Sequence, residues 1–278
     1  MENERSFDME ETMQWAIDGQ RGRINVREWP NEHAQWLAVL AHGYGEHIGR
    51  YNHVAEAFRQ AGAAVVGPDH QGHGTSEGER VGIEDFEDVI TDLHTVTLRA
   101  SEKYPHLPVV LIGHSMGGMI AARYGQRYGN ELAALVLSGP MVGARALVEQ
   151  LLSLDPIPDL PLDPNALSRD ASVGEAYASD PLVWHGSFKR PMLAAMKREL
   201  DTIDAGSSYG DLPLLWIHGE LDPLIPVAST RSVIEFLRGS SFEERIYPGA
   251  QHEVFNEINR AEVLADVVSF VQRMLFQK

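Results

Sequence analysis

Cysteine is absent from this chain of 278 residues. Without cysteine the protein can form neither disulfide bonds nor thiolate zinc sites, and a cysteine nucleophile is excluded. The absence does not distinguish a reducing from an oxidising compartment. Any nucleophilic chemistry must therefore come from another residue type.

Long apolar runs are also missing. The sequence contains no stretch of about 18 uncharged apolar residues, which a membrane-spanning helix requires. The first 20 residues are rich in acidic side chains and lack the basic start and apolar run of a signal peptide. We interpret residues 1–20 as a solvent-exposed lead-in and expect a soluble, cytoplasmic protein. Association with a membrane or the cell envelope stays open as the alternative.

Basic residues are scarce relative to acidic ones. The chain has 23 Lys and Arg against 40 Asp and Glu, which gives a formal net charge of −17. A charge of this sign and size repels polyanions. We therefore expect no nucleic-acid partner.

Short apolar runs bounded by turn residues alternate along the chain with segments of helical periodicity. The predicted strands are 36–41, 63–66, 108–112, 133–137 and 212–217, and the predicted helices are 53–61, 86–103, 116–128 and 227–238. Runs that are apolar throughout are typical of parallel strands covered on both faces. The alternation predicts an α/β fold with a mostly parallel central sheet flanked by helices.

The alternation is interrupted between about residues 143 and 208. A proline-rich stretch at 155–164 gives way there to helical segments without a strand pattern. An unstructured loop of this length is improbable in a compact domain, so we interpret the segment as a mainly helical lid inserted between two strands. A plain surface excursion is the alternative. Because 44% of the residues are hydrophobic, we expect one domain over residues 1–278 that carries this lid.

A serine lies in the segment Gly113-His114-Ser115-Met116-Gly117, between a predicted strand and a predicted helix. The segment resembles the G-x-S-x-G nucleophile elbow of the α/β-hydrolase fold in its strand–turn–helix setting. Small neighbours are needed there because the backbone bends sharply and approaches adjacent chain segments. We predict Ser115 as the nucleophile and the Met116 N–H as one oxyanion donor. A plain helix-start loop capped by Ser115 is the alternative.

A serine hydroxyl needs a base, and the base needs an orienting carboxylate. In this fold the chain order is serine, acid, histidine. Asp222 follows the predicted strand 212–217, and Pro223 holds it in an extended or turn conformation, so we predict Asp222 as the acid and Glu220 as its rival. His252 lies in the turn before the C-terminal helix and fits the base in both order and place.

The remaining candidate residues are three further histidines and a glycine-rich loop. The loop, 42–47, follows the predicted strand 36–41 at the place where this fold supplies its second oxyanion donor, which we predict to be the Tyr44 N–H. We interpret His42 as a brace for this loop and His218, beside the acid, as structural. His185 lies in the predicted lid and is a candidate substrate contact.

A carboxylate and two imidazoles come close together at Asp69, His70 and His73, a combination that zinc sites use. No further acid cluster or open-site motif accompanies them. We interpret this run as a turn that packs behind the active site, and we expect neither a metal nor a cofactor.

Several motifs together resemble the monoacylglycerol lipase branch of the α/β-hydrolases, which is related to lysophospholipase-like serine hydrolases. They lie at 42–47 with Arg50, Tyr51 and Val54, and at 69–76, 113–118, 179–183, 218–226 and 252–257. The resemblance covers most of residues 20–275. It implies hydrolysis of a monoacylglycerol into a fatty acid and glycerol through an acyl-enzyme, without a cofactor. It also implies that Glu46 and Arg50 lie near the polar headgroup, although an ion pair that only braces the loop would give the same pattern.

Apolar residues of the predicted lid have two interpretations. Leu147, Val148, Leu151, Leu152, Leu193 and Met196 would form an acyl tunnel or touch a lipid surface, and plain packing explains them equally well. The alternatives for function are a lysophospholipase, a short-chain carboxylesterase or an amidase with the same triad, and a lipid-binding module without catalysis. A haloalkane or epoxide hydrolase is disfavoured because such enzymes carry a carboxylate in place of Ser115.

Overall fold

The computed structural model describes residues 12–159 and 162–276. Its centre is a sheet of eight strands. The strands are β1 (Met13–Gly19), β2 (Gly22–Trp29), β3 (Trp36–Ala41), β4 (Ala63–Pro68), β5 (Val109–His114), β6 (Ala134–Ser138), β7 (Leu214–Gly219) and β8 (Phe242–Tyr247). They lie in the order β1-β2-β4-β3-β5-β6-β7-β8. The pairs β1–β2 and β2–β4 are antiparallel, and all other neighbours are parallel. The predicted mostly parallel sheet is confirmed.

The N-terminal edge of the sheet differs from the prediction. Residues 13–19 were expected in a solvent-exposed lead-in, but they form β1, which pairs with β2 from Met13 to Gly19. The strand has no apolar run to reveal it, because Ile17 is its one fully buried residue. Backbone pairing with β2 holds the strand in place, and Trp15 Nε1 adds a 3.0 Å hydrogen bond to Glu28 Oε2. Residues 1–11 of the predicted lead-in lie outside the described residues.

Helices cover both faces of the sheet. They are α1 (Asn52–Gln60), α2 (Phe86–Lys103), α3 (Met116–Tyr128), α4 (Arg145–Ser153), α5 (Ala171–Ser179), α6 (Arg190–Ala205), α7 (Val227–Leu237) and α8 (Arg260–Phe276). In β3, Trp36, Ala38 and Leu40 face the core that α1 and α8 cover, whereas Leu37 and Val39 face the core of α2, α3 and α7. Because both faces are buried, β3 has no polar alternation, which explains its continuous apolar run.

A helical insertion occupies the chain between β6 and β7, residues 139–213. Its described part contains α4, α5 and α6 and no strand. Apolar residues of α4 and α6, such as Val148, Leu193 and Met196, belong to the same buried cluster as α3. The insertion therefore packs over the C-terminal ends of the parallel strands, where the loops of an open α/β sheet form ligand sites. Among the described helices, none has the length and apolar character needed to cross a bilayer.

Candidate active site

Ser115 lies at a sharp turn between β5 and α3. Its backbone has φ of +55° and ψ of −117°, a conformation that costs a non-glycine residue about 1–3 kcal/mol. A Cβ on Gly113 would lie 2.2 Å from Gly117 O, and one on Gly117 would lie 2.1 Å from Ala41 O. Only glycine fits at either position, so the two glycines allow strand and helix to cross closely enough to hold the strained serine.

The structure brings the three predicted catalytic side chains together. His252 Nε2 lies 2.9 Å from Ser115 Oγ, and His252 Nδ1 lies 2.7 Å from Asp222 Oδ2. The three residues follow β5, β7 and β8, whose carboxyl ends meet at the same edge of the sheet. The rival acid Glu220 is exposed instead, and its Oε2 accepts a 2.9 Å hydrogen bond from the Gly249 N–H.

Charges around His252 favour its protonated form. Burial acts to lower the pKa of His252, but the Asp222 carboxylate outweighs burial, with help from Glu253 and Glu46, and the net pKa is raised. Burial acts to raise the pKa of Asp222, but His252 and the hydrogen bonds from His218 and His252 lower it well below its usual range. Asp222 is therefore a carboxylate at neutral pH, and it stabilises the imidazolium that forms when His252 accepts a proton.

The two residues predicted to form the oxyanion hole, Met116 and Tyr44, both lie beside Ser115. Met116 is the first residue of α3, so its N–H has no intrahelical partner. Tyr44 lines the same cavity as Ser115, and its ring stacks on Phe188 with centroids 4.5 Å apart. A Cβ on Gly43 would lie 3.2 Å from Ser115 Cβ, which shows how closely this loop approaches the nucleophile.

A buried ion-pair network supports this loop. Glu46 Oε1 accepts hydrogen bonds from the Gly43 N–H at 2.6 Å and from Tyr51 Oη at 2.7 Å. Arg50 pairs with Glu46 and binds both carboxylate oxygens of Glu253 at 2.7 Å. Burial raises the pKa of Glu46, but Arg50 and its other neighbours lower it to about 2. The network thus joins the glycine-rich loop 42–47 to Glu253, the residue after His252. We call its four side chains (Glu46, Arg50, Tyr51 and Glu253) the clamp.

The histidine-rich turn at 69–76 packs behind the glycine loop. The His42 ring lies 4.3 Å from that of His70 and 5.4 Å from that of His73, and its Nε2 accepts a hydrogen bond from the His70 N–H at 3.0 Å. Burial lowers the pKa of His73 to about 3, so the imidazole is neutral. Asp69 accepts hydrogen bonds from the Ile48 and Thr75 N–H groups. Within residues 12–159 and 162–276, no group of three or more His, Asp or Glu is arranged to hold a metal ion.

An apolar cavity of about 260 Å³ opens above Ser115 and His252. Its walls come mainly from the helical insertion and from the loop after Asp222, with Tyr44 added by the glycine-rich loop 42–47. They are Tyr44, Met141, Ala144, Leu147, Val148, Leu151, Pro158, Leu162, Asp163, Phe188, Leu193, Met196, Leu224 and Ile225. Of the six lid residues predicted to form a tunnel, Leu152 is not among these walls. Asp163 is the one carboxylate of the described lining, which includes neither lysine nor arginine.

Comparison with known proteins agrees with this geometry. The family model described as serine aminopeptidase S33 (Hydrolase_4) matches residues 32–259. The chain belongs to this family. The predicted α/β-hydrolase fold is thereby confirmed. The predicted resemblance to monoacylglycerol lipases is confirmed as well, and the relatives and solved structures described next support both.

Two relatives of this S33-family chain span nearly its whole length. The monoacylglycerol lipase of Mycolicibacterium smegmatis is 41% identical over 259 residues, which cover 90% of this chain and 92% of that protein. Human monoglyceride lipase is 31% identical over 253 residues, covering 87% and 82%. A soluble variant of monoglyceride lipase from Saccharomyces cerevisiae, solved with a substrate analog, superposes with a TM-score of 0.81 at 21% identity and covers 94% of each chain. At that identity the superposition supports the fold alone.

The three predicted substrate contacts are not among the described residues that line the cavity. Glu46 and Arg50 are buried in the clamp and are not among the described residues of the cavity wall. His185 is exposed, its Nε2 lies 3.2 Å from Asp180 O, and it is likewise not among those wall residues. Sequence reasoning missed Glu253 as a partner of Arg50. Arg50 and Glu253 are 203 residues apart in the chain, so no local pattern connects them. The one signal in the sequence was the position of Glu253 directly after His252.

Proposed function

We propose that this protein is a serine hydrolase that cleaves monoacylglycerols into a fatty acid and glycerol. The observation that carries the proposal is the hydrogen-bonded chain Ser115–His252–Asp222 at the floor of an apolar cavity. The three hydrogen-bonded residues can activate the Ser115 hydroxyl, and the apolar cavity can accommodate the acyl chain of a lipid.

The proposed reaction has two halves. His252 takes the Ser115 proton as Oγ attacks the ester carbonyl, and the Tyr44 and Met116 N–H groups stabilise the oxyanion. His252 then protonates the departing glycerol oxygen and leaves an acyl-enzyme. Water attacks this ester with His252 again as base, the fatty acid is released, and His252 returns the proton to Ser115 Oγ. Besides the substrate and water, the cycle uses only groups of the protein and needs neither metal nor cofactor.

Charge supports a neutral glycerol headgroup over a phosphate. The described cavity wall carries Asp163 and no lysine or arginine, and the chain as a whole has a net charge of −17. A lysophospholipid would bring its phosphate into this negative environment without a cationic partner. The sequence relatives named as monoacylglycerol and monoglyceride lipases support the same choice.

We further propose a cytoplasmic enzyme that meets its lipid through the helical insertion. Leu147 and Leu154, at and just after α4, are 40% and 38% exposed. Exposed leucines beside a cavity mouth can partition into a lipid interface.

The test combines a substrate panel with Ser115→Ala. We expect turnover of monoacylglycerols to exceed that of lysophosphatidylcholine, diacylglycerols and triacylglycerols. Ser115→Ala should reduce kcat by about 10⁴-fold or more, because no other group can form the acyl-enzyme. If Ser115→Ala kept most of the wild-type rate, the assignment of Ser115 as nucleophile would be refuted. Exclusive hydrolysis of triacylglycerol would refute monoacylglycerol as the substrate.

A further inference from the structure

His218 is a fully buried histidine that the reaction above does not use. It lies in β7, four residues before Asp222, and has 0% exposure. Its Nε2 lies 2.7 Å from the Ile225 carbonyl oxygen and 3.1 Å from Asp222 Oδ2. His252 Nδ1 contacts the same Asp222 oxygen at 2.7 Å. Two imidazoles therefore converge on one carboxylate oxygen.

The surroundings of His218 fix the position of its proton. Trp216 Nε1 lies 3.1 Å from His218 Nδ1, and an indole N–H can only donate, so Nδ1 must be the unprotonated acceptor. On the other side of the ring, the Ile225 carbonyl and the Asp222 carboxylate can only accept. Nε2 must therefore carry the proton, and the ring is the neutral Nε2–H tautomer.

The other oxygen of Asp222 is also held. Asp222 Oδ1 accepts hydrogen bonds of 2.9 Å from the N–H groups of Leu224 and Ile225. These donors fix Oδ1, while His218 and His252 approach Oδ2 from two directions. The carboxylate cannot rotate without breaking contacts at both oxygens.

We propose that His218 is a positioning residue for the hydrolytic reaction. Its Nε2–H, shared between Asp222 and the Ile225 carbonyl, keeps Oδ2 directed at His252, and Trp216 sets the tautomer that makes this possible. A neutral donor suits the role, because a cation here would neutralise the charge that Asp222 needs to stabilise imidazolium. The inference rests on the proposed catalytic triad and extends it to a chain of five residues.

The experiment compares His218→Leu with His218→Gln, using monoacylglycerol as substrate. Leucine removes the donor, whereas the glutamine amide can still donate to Asp222. We expect His218→Leu to lower kcat by about 10²-fold with little change in KM, since a small misplacement of catalytic groups has an effect of this size. We expect His218→Gln to recover most of that loss. Rates are expressed per mole of folded protein, with the folded fraction taken from urea unfolding, so that loss of folded protein does not count as loss of kcat.

The pH profile separates positioning from plain packing. Without the His218 donor, Asp222 is less stabilised as an anion and holds the His252 proton more tightly, so the acid limb of kcat/KM should move to higher pH in His218→Leu and stay in place in His218→Gln. A His218→Leu enzyme with wild-type kcat per mole of folded protein and an unmoved limb would overturn the inference while leaving the proposed function intact. Activity in Ser115→Ala would instead refute the function itself.

A measurement on the wild-type protein covers the case in which His218→Leu does not fold. Long-range ¹H–¹⁵N spectra of the histidines report which ring nitrogen is protonated. We expect His218 to show the Nε2–H tautomer. Trp216→Phe removes the donor to Nδ1 and assigns the signal. An Nδ1–H tautomer or an imidazolium at His218 would overturn the proposal.

Discussion

The sheet edge and the helical insertion build the two halves of the site by different means. At the sheet edge, buried polar groups meet partners at close to 3 Å, as in the Asp222–His252–Ser115 chain and the clamp. In the insertion, the cavity wall is mainly apolar, and charged residues such as Arg145 make ion pairs on the surface. Hydrogen bonds fix positions, whereas apolar packing tolerates changes of shape. The chemistry should therefore depend on the sheet edge and the choice of lipid on the insertion.

Removing one paired arginine from each region should give the largest contrast. Arg50→Met leaves Glu46 and Glu253 buried without their cation, and we expect a loss of about 3–5 kcal/mol in the free energy of unfolding together with a lower kcat. Arg145→Met, the matched change in the insertion, removes partly exposed pairs with Asp201 and Asp204 and should cost about 0–1 kcal/mol. Urea unfolding and turnover of both variants provide the measurement. Equal losses in the free energy of unfolding would show that the buried clamp stabilises the fold no more than surface ion pairs do.

Removing one charge of the clamp should change the pH profile by a smaller amount. Glu253 raises the pKa of His252, and only neutral His252 can act as the base, so wild-type kcat/KM should rise with pH through a value above 6.5. In Glu253→Gln this limb should move to lower pH, because the imidazolium loses a nearby anion. Glu220→Gln removes the same charge from an exposed position and serves as control. If the limb of the kcat/KM profile moved to higher pH in Glu253→Gln, or moved equally in Glu253→Gln and Glu220→Gln, the proposed effect of the Glu253 charge on His252 would be contradicted.

The smallest effect is expected at the surface of the insertion. Leu154→Ser should reduce turnover of monoacylglycerol presented in lipid vesicles by about fivefold, or roughly 1 kcal/mol of interfacial contact. Leu98→Ser, on α2 of the main domain, is the control, because Leu98 is also exposed, at 48%. Both variants should hydrolyse a water-soluble short-chain ester at the wild-type rate. An equal loss in the two variants on vesicles would exclude the insertion as the specific lipid contact.

Much of the sheet edge was predictable from the sequence because its signals are local. Strand runs such as 36–41 are apolar throughout, and Gly113 and Gly117 lie at close backbone contacts that leave no room for a Cβ. Chain order placed the acid between Ser115 and His252, and Pro223 favoured Asp222 over Glu220. These features need no knowledge of distant residues.

The features that the sequence did not reveal depend on contacts that form only in the folded chain. Strand β1 is ordered by pairing with β2, although only one of its own seven residues is buried. Glu46 and Arg50 were predicted near the substrate, but Glu253, at the far end of the chain, draws Arg50 into the clamp. The donor role of His218 follows from Trp216 on one side of its ring and Ile225 on the other. Such contacts arise only when the chain is folded.

The central claim is that one serine is activated by the groups at the sheet edge. Peptide mass spectrometry after treatment with a fluorophosphonate tests it directly. The account predicts one adduct per chain, on Ser115, and its near absence in Asp222→Asn, where His252 adopts the wrong tautomer. Labelling of a different serine, or undiminished labelling of Ser115 in Asp222→Asn, would contradict it.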